Sequence, residues 1–288
     1  MSAGRFAPSP SGDLHLGNLR TAILAWLFAR ATDRSFLVRV EDLDRQRSRP
    51  EFERTQLEDL AALGLTWDPP VVRQSERDDR YAAALDRLTD AGLTFECFCT
   101  RREVAEAVRA PHHPPGAYPG TCRDLTEAER AERRAERVPA IRLRAQADRW
   151  VIHDALHGEV DGHVDDVVLR RGDGAHAYNL AVVVDDGEQG VDQVVRGDDL
   201  LDVAPAQAHL AHLLGLPEPA YAHVPLALNA AGRRLAKRDG AVTLRDLSPG
   251  TVWDLIGDSL GVRARSPEAL LAELDPADLP RKPWILTS

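Results

Sequence analysis

The order of elements at the N-terminus constrains this chain more than any other feature. Arg5-Phe6-Ala7 reads as a short strand, and it runs into Pro8-Ser9-Pro10-Ser11-Gly12-Asp13, an unbroken stretch of turn formers. A helix is expected from about Gly17, because Leu19, Ala22, Ile23, Trp26 and Leu27 recur at helical spacing and form one apolar stripe. Arg30 falls next on that stripe, so the buried face is expected to end near Leu27. Phe36-Leu37-Val38-Arg39-Val40 then reads as a buried strand ending in the carboxylates of Glu41 and Asp42. Strand, loop, helix, strand, with ligand-type side chains at strand ends, is what a doubly wound α/β sheet produces.

The rest of the chain continues that pattern. Helices are expected between Pro50 and Gly92, with stripes at Phe52, Leu57, Leu60 and Leu63 and at Tyr81, Ala84, Leu85 and Leu88. Phe95 to Cys122 has no clear period and is rich in Pro, Gly and His. Thr126 to Arg137 reads as a charged helix opened by a capping box, Thr126 with Glu129. Strand-like runs follow at Ala140–Leu143, Val167–Leu169, Asn179–Val184 and Gln193–Val195. Helices are expected at Leu200–Leu214, Val252–Leu260 and Pro267–Leu274.

Composition sets the outer limits. A length of 288 residues suits one or two domains, and 43% hydrophobic with 28% charged residues excludes global disorder. With no run of about 18 apolar residues, no membrane span is expected. The opening MSAGRFAPSPSG lacks a basic region followed by a long apolar stretch, so a cytoplasmic location is expected. A net charge of −10 argues against nucleic acid held by bulk attraction; an RNA contact has to use a local basic patch.

Four constellations carry possible chemistry. His15-Leu16-Gly17-Asn18 opens a helix, where backbone N–H groups and a residue without a side chain make an anion site. Arg5 and Arg196 sit at or beside strand ends; two guanidinium forks suit a dicarboxylic substrate, and Glu41 suits an ammonium group. Arg234-Leu235-Ala236-Lys237-Arg238-Asp239-Gly240 is a basic loop in an acidic chain, able to bring Lys237 to a polyphosphate. Cys97 and Cys99, followed by Tyr118 and Cys122, supply three thiols for zinc, a set that suits a reduced compartment better than a disulfide framework. The fourth ligand is Tyr118 or one of His112 and His113, which are chemically more usual.

Together these blocks resemble the glutamyl-tRNA synthetase group of class I aminoacyl-tRNA synthetases. RFAPSPSGDLHLGN resembles the opening of that group, with HLGN in the place of the HIGH motif and RLAKR in the place of the KMSKS loop. RVEDLDRQRS, AYNLAVVVDD and VVRGDDLL resemble further signatures in the same order, so the likeness runs from Arg5 to about Leu244. It implies a Rossmann-type catalytic domain in two halves, residues 1–92 and 126–235. A zinc-binding insertion would occupy residues 93–125, and the KMSKS-type loop with a small helical region residues 236–288. It implies a glutamate pocket of Arg5, Ala7, Ser9, Glu41, Tyr178 and Arg196, with Glu41 on the α-amino group and Arg196 on a carboxylate. ATP would meet His15, Gly17, Asn18 and Lys237, with Lys237 stabilising the transferring phosphates and Mg²⁺ accompanying ATP.

Only 50 residues follow Arg238, too few for an anticodon-binding domain of the usual size, so none is expected. That length and the CxC…YxxxC pattern resemble the truncated paralogue of the group. It activates L-glutamate with ATP without tRNA, then esterifies it onto queuosine in the anticodon loop of tRNA(Asp). In that paralogue Tyr118 would be the fourth ligand to one Zn²⁺ per chain. A ligase acting as a monomer, with no DNA or membrane partner, is the resulting expectation. The alternatives are a truncated synthetase charging the 3′ end of tRNA(Glu) and a non-catalytic amino-acid-binding paralogue. Three positions depart from the pattern. Arg234 replaces a Lys, Ala236 replaces a Ser whose hydroxyl would help close the loop, and Asn179 stands where Gln is more familiar.

Overall fold

The computed structural model describes residues 2–107, 117–233, 235 and 242–286. In chain order the first half contains β1 (Ala3–Phe6), α1 (Leu16–Arg30), β2 (Ser35–Val40), α2 (Pro50–Ala62), β3 (Val72–Arg73), α3 (Asp78–Asp90), β4 (Thr94–Cys97), α4 (Arg101–Ala107), α5 (Glu127–Glu136) and β5 (Ala140–Leu143). The second half contains β6 (Arg149–Asp154), β7 (Gly158–His163), β8 (Val168–Arg170), α6 (Tyr178–Glu188), β9 (Val191–Gly197), α7 (Ala204–Leu213), β10 (Ala220–Val224), β11 (Ala227–Asn229), α8 (Pro249–Leu260), α9 (Pro267–Glu273) and β12 (Trp284–Leu286).

Seven strands form the central sheet in the order β3-β2-β1-β9-β10-β6-β7. Every pairing is parallel except the β6–β7 hairpin. From β1 the chain crosses to β2 on one side, and from β9 it crosses to β10 on the other. The crevice between the carboxyl ends of β1 and β9 is therefore the topological switch point, where open parallel sheets bind ligands. A smaller antiparallel sheet, β4-β5-β8, carries the first of the cysteines. No helix among the described residues is long and apolar enough to cross a membrane.

Helix α1 differs from the expected one-sided stripe. Leu16, Leu19, Arg20 and every residue from Ala22 to Ala29 are buried. The helix is enclosed by the sheet on one side and the C-terminal helices on another, in one core with Phe36, Val38, Leu60, Trp253, Ile256 and Leu270. Arg20 is tolerated inside because it donates to the Pro225 carbonyl at 2.7 Å and to Ser259 Oγ at 3.0 Å.

The strand expected over Asn179–Val184 is instead the first half of α6. Leu180 to Val184 are all buried, so no apolar–polar period separates helix from strand. Helix formation costs each Val roughly 0.5 kcal/mol, whereas burying its side chain contributes about 1.5 kcal/mol. Packing against Tyr81, Leu85 and Leu210 therefore decides the conformation. The helical form also brings Asp185 and Asp186, adjacent in sequence, to the arginines of the central sheet. The β6–β7 hairpin, absent from the sequence reading, pairs Trp150 with Gly162 and Ile152 with Val160.

Candidate active site

A cavity of about 490 Å³ opens at the switch point. Its floor is the turn after β1, braced from three sides. Glu41 N–H donates to Pro8 O at 2.9 Å, Arg49 N–H to Pro10 O at 3.0 Å, and Gln56 Nε2 to Ser9 O at 3.0 Å and Gly12 O at 2.7 Å. Arg5, Ala7, Ser9, His15, Gly17, Asn18, Glu41, Tyr178 and Arg196 all line this one cavity. Residues chosen from four separate sequence blocks thus converge. Arg5 comes from β1, Glu41 follows β2, Tyr178 opens α6 and stands one-third exposed at the rim, and Arg196 comes from β9. Lys237, with Arg234 and Ala236, lies outside the described residues. Its flanks do not. Leu235 N–H donates to Ala227 O at 3.4 Å, and Val242 O accepts from Leu16 N–H at 3.0 Å, so these two flanking residues sit beside the cavity.

The polar end of the cavity rests on a buried charge cluster. Asp186 accepts from Arg5 Nε at 3.2 Å and Nη2 at 3.4 Å, and from Arg39 Nη1 at 2.7 Å. Arg39 is fully buried and also reaches Glu41 at 3.4 Å and Asp185 at 3.6 Å. Asp185 in turn accepts from Arg77 at 2.6 Å, Gln74 at 2.9 Å and Tyr81. Three guanidinium groups thus meet three buried carboxylates, and Arg77 also reaches the more exposed Glu188 at 2.7 Å. Burial resists ionisation of Asp186, but Arg39 and Arg5 more than offset it and hold its carboxyl below the usual range. At Glu41 burial wins over the same two arginines, so its carboxyl is raised. Arg196 is held separately: Nε donates to His223 Nε2 at 3.0 Å, Nη1 to Gln207 Oε1 at 2.8 Å and Nη2 to Leu200 O at 3.3 Å. Gln207 Nε2 donates onward to Asn179 Oδ1 at 2.9 Å, which puts the unusual residue of AYNLA one bond from Arg196's support.

On the opposite wall the start of α1 is a reciprocal cap. His15 Nδ1 accepts from Asn18 N–H at 3.3 Å, and Asn18 Oδ1 accepts from His15 N–H at 3.3 Å. A Cβ at Gly17 would lie 3.1 Å from His15 Cε1 and 3.3 Å from Ala227 Cβ, so a side chain there would press the imidazole out of its pose by a few tenths of an ångström. The N–H groups of Leu16 and Asn18 are engaged within the protein, so less of this helix start faces an anion than its sequence suggests.

Away from the cavity, the sulfur atoms of Cys97, Cys99 and Cys122 lie within 4.8 Å of one another, Cys99 and Cys122 at 3.6 Å. A tetrahedral zinc with bonds of about 2.3 Å places its sulfurs roughly 3.8 Å apart, so the thiols fit such an ion. Tyr118 Oη lies 3.4 Å from Cys97 Sγ and 3.9 Å from Cys99 Sγ, and it accepts from Cys122 N–H at 2.8 Å. Burial resists ionisation at Cys122, but the Phe98 N–H and then Tyr118 outweigh it and hold the thiol below its ordinary range. Cys99, burdened by burial and then by Cys97, is pushed up to about 12. Three close cysteines able to hold a metal ion are what the structure supplies. His112 and His113 lie outside the described residues.

Residues 3–249 match the family model for tRNA synthetases class I (E and Q), catalytic domain. The chain belongs to that family. The synthetase is 67% identical to a glutamyl-Q tRNA(Asp) synthetase of Nocardia farcinica, over 99% of this chain and 93% of that one. It is 57% identical to the protein of the same name from Cutibacterium acnes, over 85% of this chain and 71% of that one. Among solved structures, a glutamate tRNA ligase from Elizabethkingia meningosepticum in complex with its amino acid superposes with a TM-score of 0.83. It is 26% identical, covering 100% of this chain and 67% of that chain. The synthetase is accordingly a ligase of the glutamate–tRNA type with a mostly parallel α/β catalytic domain. Asp186, His223 and Gln207 escaped the sequence reading. The first stood within the AYNLAVVVDD block without a role, and nothing local marked the other two.

Proposed function

We propose that this synthetase activates L-glutamate with ATP without tRNA, and then transfers the glutamyl group to queuosine in the anticodon loop of tRNA(Asp). The observation that carries the reading is the convergence of Arg5, Glu41, Tyr178 and Arg196 with the His15–Asn18 helix start on one cavity. In this reading the guanidinium groups of Arg5 and Arg196 bind the carboxylates of the amino acid, and Glu41 binds its ammonium group. Ala7 and Ser9 shape the wall, while His15, Gly17 and Asn18 meet ATP, which arrives with Mg²⁺. An α-carboxylate oxygen attacks the α-phosphorus; the bond to the bridging oxygen breaks and pyrophosphate leaves. Lys237 stabilises the charge that builds on the phosphates. A queuosine hydroxyl then attacks the acyl carbon of the mixed anhydride, and AMP departs with the electron pair. No protein nucleophile enters either step, so the rate enhancement comes from positioning and charge.

The relatives named glutamyl-Q tRNA(Asp) synthetase support the choice of acceptor, at 67% identity over nearly the whole chain. The cysteine cluster with Tyr118 would hold one structural zinc, which adds to the small apolar cluster of Phe95, Phe98 and Leu125 around it. The remaining domain boundaries are those the sequence suggests, and the enzyme works as a monomer in the cytoplasm. Labelled glutamate, ATP and purified tRNA(Asp) or tRNA(Glu) test the reading. Label mapping to the queuosine nucleotide is expected. Label at the 3′-terminal adenosine of tRNA(Glu) would replace this function with ordinary charging.

A further inference from the structure

Arg196 sits in the cavity at only 6% exposure, and two of the three groups that orient it, His223 and Gln207, do not line the cavity. The strongest constraint comes from behind. Its Nε–H points at Nε2 of His223, which is fully buried on β10, the neighbouring strand. An arginine Nε is a donor and never an acceptor, so His223 Nε2 must carry a lone pair. On the far side of the ring, His223 Nδ1 lies 2.6 Å from Asp154 Oδ2. A carboxylate accepts, so Nδ1 must carry the proton. Donor on one side and acceptor on the other therefore fix a single state, the neutral Nδ1–H imidazole.

Asp154 is itself immobilised. Oδ2 also accepts from His223 N–H at 2.9 Å, while Oδ1 accepts from Leu156 N–H at 2.8 Å and His157 N–H at 3.0 Å. These bonds reinforce the pairing of β6 with β10 at Tyr221, and they turn the β6–β7 turn into a foundation for the ring. Tyr221 stacks on the imidazole at 5.7 Å, with an interplanar angle of 17°, and closes its face.

Resting on the glutamate pocket proposed above, we infer that His223 and Asp154 are positioning residues that aim the Arg196 guanidinium at the substrate carboxylate. Three of the five N–H groups of Arg196 are spent on His223, Gln207 and Leu200. That fixes the plane of the fork in advance, so glutamate binding need not order it. Burial works first against protonation of His223, with Arg196 acting the same way, and together they outweigh Asp154, so its pKa is lowered. The charged or titratable groups facing the ring are Asp154 and His157 from β6 and the turn after it, Arg196 from β9 and Tyr221 on β10.

The test pairs kinetics with spectroscopy on the full chain. In glutamate-dependent ATP–pyrophosphate exchange, His223→Leu removes the acceptor while preserving apolar bulk. It is expected to raise the KM for glutamate at least about tenfold, about 1.4 kcal/mol, with the KM for ATP within about twofold. His223→Gln can place a carbonyl oxygen near Nε2 and should recover most of that loss. Nitrogen-15 NMR of histidine-labelled wild type should show His223 as the neutral Nδ1–H form at neutral pH. An unchanged glutamate KM in His223→Leu, equal increases in both KM values, or an Nε2–H or doubly protonated ring would each overturn the inference. The spectrum needs no turnover. If wild type exchanged no pyrophosphate with glutamate, the pocket assignment would fail, and the tautomer would still show whether Arg196 is held in this way.

Discussion

Replacing Asp186 with Asn isolates the charge balance beneath the pocket. Arg5, Arg39 and Arg77 face the buried carboxylates of Glu41, Asp185 and Asp186, and Arg77 also pairs with the more exposed Glu188 at 2.7 Å. Asp186→Asn keeps the shape, and Asn Oδ1 can still accept the 2.7 Å bond from Arg39. It removes one negative charge beside an arginine with no solvent exposure. Removing one partner from a buried pair costs about 3–5 kcal/mol. At roughly 2–3 °C per kcal/mol for a chain of this size, Tm should fall by roughly 6–15 °C. Arg5 loses the carboxylate that orients both Nε and Nη2, so the KM for glutamate should rise about tenfold in pyrophosphate exchange. The depressed carboxyl of Asp186 stabilises the native state above the ordinary carboxylate pKa, a contribution lost as pH falls through its lowered value. Asp186→Asn should therefore lack that part of the acid destabilisation. Asp192→Asn is the control. Its pair with Arg34 is made at 2.8 Å but is 42% and 23% exposed, so the change should cost no more than about 1 kcal/mol. Calorimetry showing the two variants equally stable, with glutamate KM unmoved, would refute a strained charge balance under Arg5.

Other outcomes follow from neighbouring features. Gly17→Ala adds a Cβ 3.1 Å from the His15 ring. Loss of the cap, about 1 kcal/mol, is largely offset by the roughly 0.5–1 kcal/mol helix preference of Ala, so Tm should barely move while exchange falls at least about tenfold. Because burial raises the Glu41 carboxyl, with Arg39 and Arg5 opposing, glutamate KM should climb as pH drops through that raised value. Glu41→Gln should give a high, flat profile, and a wild-type profile equally flat would contradict the role of Glu41. Metal analysis should find about one zinc per chain, and Cys99→Ser should lower Tm while leaving glutamate KM within about threefold. Protein purified without chelator yet free of zinc would end that assignment. Lys237→Ala should slow exchange at least about tenfold, roughly 1.4 kcal/mol of barrier, and an unchanged rate would mean that the loop is idle.

The site was legible where chemistry is written locally. Turn formers after β1, a glycine at a helix start and arginines at strand ends are each recognisable from a few adjacent residues, and they meet at the switch point. Two kinds of feature stayed hidden. Leu180–Val184 carries no period because tertiary burial surrounds it, so the helix could not be told from a strand. His223 and Asp154 stand 69 residues apart and become partners only when β6 and β10 pair in the sheet. Asp186 reaches Arg5 across 181 residues only because helix α6 brings it to β1. Supports of this kind depend on topology, and nothing near them in sequence announces the arginine they hold.

A crystal structure of the chain soaked with L-glutamate decides whether one amino acid is held as described. The expected result is a single glutamate in the 490 Å³ cavity, with its carboxylates on Arg5 and Arg196 and its ammonium on Glu41. Glutamate bound elsewhere, or those three side chains turned away from it, would contradict the function assigned to this fold.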